Sequence, residues 1–133
     1  MSSFEVKVSA IENCDSLNIV KFDFDGVVLT MMSLDLSSDI QVGTRVSLLV
    51  KPTHIAIAKD FSGDISYSNQ LSCIITSIEN GTLLSSIKLD FFDIPLESII
   101  TKNSSKKMDL KVGDAVSVFI KASELSIGEI LDD

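Results

Sequence analysis

The chain has 133 residues, of which 45% are apolar, and its formal net charge is −8. This length suffices for one compact domain or for two small ones that share a core, and the apolar share is too high for a disordered chain. The negative charge disfavours nucleic acid and anionic membranes as partners, although a local pocket of donors could still hold a small anion. With no Trp and one Tyr, the core must consist mainly of Ile, Leu and Val, which favours strands.

The predicted elements begin with short strands. Residues 4–8 and 20–24 alternate apolar and polar side chains, and Val46, Leu48 and Val50 recur at the same spacing, which is the two-residue period of a half-buried strand. Residues 12–16 predict a turn between the first two strands. Residues 33–43 fit a short helical turn or a loop that ends in glycine.

The second half of the chain then repeats the first. Three blocks recur in the same order: "SAIEN" at 9–13 with "TSIEN" at 76–80, "VKFDF" at 20–24 with "IKLDF" at 87–91, and "VGTRVSLLVKPTHIAI" at 42–57 with "VGDAVSVFIKASELSI" at 112–127. The offset between copies grows from 67 to 70 residues, and the extra residues fall in "TKNSSKKMD". We therefore predict an all-β fold of two tandem OB-like β-barrels, residues 1–62 and 63–133, each with a short helical turn. A β-sandwich of similar strand count is the alternative.

The sequence offers little for catalysis. His54 is the only histidine, and without an evident partner it predicts a surface or rim residue rather than part of a nucleophilic triad. Asp23 and Asp25 fit the solvated face of a strand, and no glycine-rich phosphate loop or zinc motif occurs. We therefore expect a protein that is not an enzyme. Cys14 and Cys73 predict free thiols in a cytoplasmic protein, and the lack of a signal peptide or a long apolar segment supports that location.

Uncharged hydrogen-bond donors gather in a few short stretches. "SYSNQ" contains Ser66, Ser68 and Asn69. "ESIIT" contains Ser98 and Thr101, and its counterpart in the first copy, "LTMMS", contains Thr30 and Ser33. At the ends of two strands, Lys121 is close in sequence to Ser123, and Lys51 is close to Thr53. Hydroxyls, amides and one ammonium suit a tetrahedral oxyanion that is fully deprotonated, since such a ligand only accepts hydrogen bonds. A ligand that keeps a proton, such as hydrogen phosphate, would need an acceptor as well. The alternative is that these residues only decorate turns and strand edges.

"SYSNQLSCIITSIENG" at 66–81, followed by "VGDAVSVFIKASELSIG" at 112–128, resembles the molbindins, the family of Mop or TOBE domains. The resemblance covers residues 66–128 and, through the internal repeat, residues 4–59. It implies OB-like barrels that bind molybdate or tungstate in the cytoplasm, for storage or homeostasis. It also implies a homotrimer in which the anion sites form at contacts between barrels, so that ligand binding and assembly are linked.

The same resemblance implies which residues would hold the anion. In the second copy they are Ser66, Ser68 and Asn69 at the first strand, Lys121, Ala122 and Ser123 at the last strand, and Ser98 and Thr101 between them. The internal repeat adds their counterparts in the first copy, which are Lys51, Thr53, Thr30 and Ser33. Three departures predict fewer or weaker sites than a full set. Ser68 stands where the family has arginine, Pro52 replaces an alanine and so has no backbone N–H, and only Ser2 and Ser3 stand in for Asn-Gln.

One alternative function fits the sequence, and a second does not. The chain could be an oligomeric interaction or regulatory module of a molybdate transport system that has lost strong anion binding, with molybdate-transport or cofactor-synthesis proteins as partners. The missing arginine and the acidic charge favour this alternative. An OB-type binder of single-stranded nucleic acid would need a basic groove with stacking aromatics, which this sequence does not supply.

Overall fold

The structure, a computed structural model, describes residues 2–131. Its strands are β1 (Ser2–Cys14), β2 (Leu17–Phe24), β3 (Val27–Ser33), β4 (Arg45–Val50), β5 (Ala56–Ala58), β6 (Asn69–Asn80), β7 (Leu84–Phe91), β8 (Ile94–Thr101), β9 (Ala115–Ile120) and β10 (Ser126–Leu131). One α-helix, α1 (Lys102–Lys107), and two 3-10 turns, Pro52–His54 and Ala122–Glu124, complete the described elements. This order gives each sequence copy four strands, a 3-10 turn and a final strand, which has three residues in the first copy and six in the second.

The strands form two five-stranded antiparallel sheets, in the orders β10-β4-β1-β2-β3 (the first sheet) and β5-β9-β6-β7-β8 (the second sheet). Each sheet takes its fifth strand from the other copy. In the first sheet Ile127 of β10 pairs with Leu48, and in the second sheet Ile57 of β5 pairs with Val118. The all-β fold of two OB-like barrels is confirmed, and the chain crosses between the barrels at both 3-10 turns. The division at residues 62 and 63 remains a prediction about the two sequence copies.

A bulge bends the long first strand of each sheet at the equivalent place. The β1–β2 register shifts between Val8 and Ala10, and the β6–β7 register shifts between Ile75 and Ser77. A bulge adds one unpaired residue and increases local twist, which helps a sheet to curl into a barrel. Gly43, with a φ of +96°, donates its N–H to the Val8 carbonyl at 2.8 Å, so the loop before β4 closes against the bulge.

The two barrels share one apolar core. Phe4 packs edge-on against Phe24, with ring centroids 5.8 Å apart, and Phe24 contacts Phe91 of the other copy at 5.6 Å. Phe24 and Phe91 occupy equivalent positions in the repeat, so the pseudo-two-fold axis that relates the copies passes between them. Burial of this contact ties the barrels together through the hydrophobic effect.

The connection before the last long strand differs between the copies. In the second copy it contains α1, which Thr101 caps by accepting a hydrogen bond from Ser104 N at 3.1 Å. In the first copy, residues 34–44 form turns only. The additional residues of the second copy provide the length for the helix. Within residues 2–131, no helix is both long and apolar enough to cross a membrane.

The linker that follows β5 is anchored to the second sheet. Lys59 Nζ donates to the Asp109 carbonyl at 2.8 Å and lies 3.2 Å from Asp114 Oδ2. The backbone N–H of Lys111 donates to the same Asp114 oxygen at 2.9 Å, and this bond, with Lys59, lowers the pKa of the Asp114 carboxyl. These contacts fix where the chain leaves the short exchanged strand.

The two thiols are free but differ in their surroundings, which predicts different reactivity. Cys14 is exposed and Cys73 is buried, and burial, with a smaller contribution from Asp90, raises the pKa of the Cys73 thiol to about 12. Because the thiolate is the reactive form, a maleimide or disulfide reagent should label one thiol in the native protein and both in denaturant. Rapid native labelling of Cys73 in a Cys14→Ser variant would contradict this burial.

Candidate functional site: the cleft between the two 3-10 turns

The 3-10 turns lie where the chain crosses from one sheet to the other. Lys51 precedes one turn with φ −74° and ψ 140°, and Lys121 precedes the other with φ −67° and ψ 145°. This extended conformation is the one that a following proline requires, so Pro52 fits its turn without strain. The turns are equivalent in the repeat, and they face each other across a cleft.

A contact between an imidazole and a carboxylate joins the two turns. His54 Nδ1 lies 2.8 Å from Glu124 Oε2, and both side chains are about one-third exposed, at 36% and 35%. The two residues hold equivalent positions, one in each copy. The pair therefore lies close to the pseudo-two-fold axis and divides the cleft into two cavities.

The two cavities are made in the same way. The Lys121 cavity, of about 340 Å³, is lined by Thr53, His54, Ile55, Ala56, Tyr67, Ile99, Ile100, Lys121 and Glu124. The Lys51 cavity, of about 230 Å³, is lined by Leu49, Val50, Lys51, His54, Ser123, Glu124, Leu125 and Ser126. The first joins Lys121 with Thr53, and the second joins Lys51 with Ser123. Each cavity thus combines the ammonium of one copy with a hydroxyl of the other.

The segment before β6 adds further donors beside the Lys121 cavity. Asn69 pairs with Ile120 at the end of the β6–β9 register. Ser68 and Lys121, the next residue on each side, are therefore opposite each other just beyond that pair. Ser66 and Ser68 are exposed. Tyr67 lines the cavity, with Lys121 Nζ 5.6 Å from its ring centroid, a cation–π contact that holds the ammonium at the cavity wall.

Two of the predicted site residues are buried and engaged with the backbone. Asn69 accepts from Thr30 N at 2.7 Å and donates to the carbonyls of Thr30 at 2.9 Å and Ile120 at 3.1 Å. Ser98 Oγ donates to the Ile55 carbonyl at 2.6 Å. Ile120 immediately precedes Lys121, and Ile55 immediately follows His54. Asn69 and Ser98 therefore position the two turns, and their polar atoms point into the scaffold.

The other predicted residues lie elsewhere. Thr101 caps α1, and Ser33 Oγ donates to the Asp35 carbonyl at 2.9 Å. Thr30 pairs with Lys21 as Glu97 pairs with Lys88, so Thr30 is equivalent to Glu97. The alignment of Thr30 and Ser33 with Ser98 and Thr101 was wrong by one residue.

Four of the twelve predicted residues line the two cavities: Lys51, Thr53, Lys121 and Ser123. Ala122 lies between Lys121 and Ser123 in its turn.

Sequence reasoning missed the part that His54, Glu124 and Tyr67 have in the cleft. His54 was expected at a surface or rim, and it is a half-buried wall of both cavities. The alignment of "KPTH" with "KASE" contained the signal, because it places an imidazole and a carboxylate at equivalent positions. Among residues 2–131, no group of three or more His, Cys, Asp or Glu side chains could hold a metal ion.

Comparisons with known proteins bear on the family and the fold. The family model of the TOBE domain matches residues 65–127. The chain therefore contains a TOBE domain, at residues 65–127. A crystal structure of the cytoplasmic molybdate-binding protein ModG, with molybdate bound, is 26% identical and has a TM-score of 0.88, covering 95% of this chain and 94% of that one. A molybdate-binding protein from Sporomusa ovata is 33% identical, covers 53% of this chain and 100% of its own, and has a TM-score of 0.47. No curated protein matches the chain.

Replacing Asn69 tests whether it is scaffold. Asn69→Ala should lower the free energy of unfolding by about 3 kcal/mol, because it leaves the Thr30 N–H and two carbonyls without partners in a buried place. Urea unfolding followed by circular dichroism measures this change. The neighbouring Gln70 is exposed and donates only to the Tyr67 carbonyl, so Gln70→Ala is the matched control, with an expected loss below about 1 kcal/mol. Equal losses would contradict the scaffold role.

Proposed function

We propose that the chain binds molybdate or tungstate in the cytoplasm, for storage or homeostasis of the anion, and that it catalyses no reaction. The observation that carries this proposal is the composition of the paired cavities. Lys121 with Thr53, and Lys51 with Ser123, each bring an ammonium and a hydroxyl donor to one place. The likeness to ModG, a cytoplasmic protein with molybdate bound, supports the choice of ligand and compartment.

The chemistry of the cavities suits these anions. A doubly charged tetrahedral oxyanion can only accept hydrogen bonds, and ammonium and hydroxyl groups can donate them. The chain as a whole has a net charge of −8, so attraction must come from local potential at the two lysines. Tyr67 lies in the wall of the Lys121 cavity, and Ser66 and Ser68 are exposed beside it. We therefore expect the Lys121 cavity to be the stronger of the two.

We further propose that the chain works as a homotrimer in which a neighbouring barrel completes each cavity. Ser66 and Ser68 are exposed beside the Lys121 cavity and could contribute to a site on a neighbouring chain. Several large apolar side chains, including Leu83 at 78% and Phe92 at 75% exposed, would be covered by association. Binding of the anion would then stabilise the assembly by mass action.

Glu124 favours one alternative. Its carboxylate lies in the wall of both cavities, where it opposes an anion that can only accept hydrogen bonds. A chain with weak anion binding could serve instead as an oligomeric interaction module of a molybdate transport system. Transport or cofactor-synthesis proteins would then be its partners.

Calorimetric titration with molybdate, tungstate and sulfate tests the proposed function. We expect heat of binding with molybdate and tungstate, and a loss of about tenfold or more in affinity for Lys121→Ala, since one charge-assisted contact contributes on the order of 1.5–3 kcal/mol. Lys106→Ala removes an exposed lysine from α1 and should bind as the parent does. No heat with either metal oxyanion would overturn the proposal, and a stable oligomer without binding would favour the interaction module.

Glu124→Gln should strengthen anion binding. The amide keeps the shape of the side chain and removes a negative charge from both cavities, and relief of one repulsion by about 1 kcal/mol raises affinity about fivefold. Glu129→Gln is the control, because Glu129 is exposed and lines neither cavity. If Glu124→Gln instead weakens molybdate binding, the carboxylate serves the site through His54, and its assignment as an opposing charge is wrong.

A further inference from the structure

A larger cavity lies away from the 3-10 turns, between the start of β1 and the strands β7 and β8. The Lys88 cavity, of about 500 Å³, is lined by Ser2, Ser3, Thr76, Lys88, Leu89, Pro95, Leu96 and Glu97. It shares no lining residue with the Lys121 or Lys51 cavities. The proposed function makes no use of it.

The cavity arises from a difference between the copies. Ser2 is equivalent to Asn69, and Glu97 is equivalent to Thr30, by the registers of their strands. Asn69 fills its place and bonds both backbone groups of Thr30. The Oγ of the shorter Ser2 accepts a hydrogen bond from Glu97 N at 3.2 Å. A small side chain where its equivalent is an amide leaves space beside β8.

The polar groups of the cavity include both donors and an acceptor. Lys88 and Glu97 are opposite each other in the β7–β8 register, yet within residues 2–131 Lys88 has no ion-pair partner within 4 Å. Glu97 uses Oε2 to accept from Ser86 Oγ at 2.5 Å, and Oε1 remains for a ligand. Ser3 and Thr76 are exposed and add two hydroxyls. With Ser2, the set is one ammonium, three hydroxyls and one carboxylate, and Leu89 and Leu96 complete the lining.

We propose that the Lys88 cavity binds a small oxyanion that keeps a proton, of the hydrogen phosphate class. The ammonium and hydroxyls donate to the unprotonated oxygens, and Glu97 Oε1 accepts the hydrogen bond of the protonated one. A fully deprotonated anion such as sulfate has no proton to donate, so the same carboxylate repels it. Glu97 is thus the residue that determines specificity, and the inference does not depend on molybdate binding in the 3-10 cleft.

The test uses inorganic phosphate and sulfate as probes on the full chain, at neutral pH and matched ionic strength. Amide chemical shifts in two-dimensional NMR should move at residues 3, 76 and 88 with phosphate and not with sulfate. Lys88→Ala should weaken phosphate binding about tenfold or more. Lys21→Ala is the matched control, because Lys21 is the equivalent residue and lines none of the three cavities.

The variant that decides the mechanism is Glu97→Gln. It keeps an oxygen for Ser86 and removes the charge, so phosphate binding should weaken while sulfate binding appears. Equal shifts with phosphate and sulfate in the parent chain would overturn the proton-based selectivity. If Lys21→Ala weakens binding as much as Lys88→Ala does, phosphate is attracted by general surface charge and the Lys88 cavity is not a specific site. If millimolar phosphate causes no shifts, the proposed site does not exist. Failure of molybdate to bind in calorimetry would leave these outcomes unaffected.

Discussion

The exchange of the fifth strand is the constraint on which the rest of the structure depends. The outer edges of β4 and β9 would otherwise expose rows of unpaired N–H and C=O groups, and β10 and β5 from the opposite copy cover them. Exchange requires the chain to cross between the sheets twice, just after Val50 and just after Ile120. The crossings are related by the pseudo-two-fold axis, so they meet near it. The cleft between the 3-10 turns is therefore a consequence of how the sheets close their edges.

Buried hydrogen bonds then fix the geometry of those crossings. Asn69 holds the carbonyl at one turn, and Ser98 holds the carbonyl at the other. Both are polar groups in apolar surroundings, where a lost partner costs more free energy than a surface contact supplies. The "SYSNQ" segment is accordingly divided in its roles. Asn69 supports the turn that carries Lys121, while Ser66 and Ser68 remain exposed beside the cavity.

The sequence predicted much of the fold and less of the site. The two-residue period and the internal repeat predicted the strands, the barrels and the pairing of Lys51 with Lys121 as equivalents. They could not predict the strand exchange, because the spacing is the same whether the last strand folds back or crosses over. Residue type alone also could not distinguish a buried Asn69 from an exposed donor. The one-residue error at Thr30 followed from aligning hydroxyls with hydroxyls, whereas the register of β3 and β8 is set by their buried faces.

The pseudo-two-fold axis gives a physical reason for the two barrels to share one chain. Equivalent residues meet at the axis, as Phe24 and Phe91 do. Two identical apolar side chains can pack there, whereas two side chains of like charge would repel each other. In a symmetric pair of identical barrels, the position of His54 would face itself, and two carboxylates or two imidazolium groups at 2.8 Å would repel strongly. A tandem chain can place His54 on one side and Glu124 on the other. The difference between the copies thus replaces a contact between two like groups with a contact between an imidazole and a carboxylate, in the wall that the two cavities share.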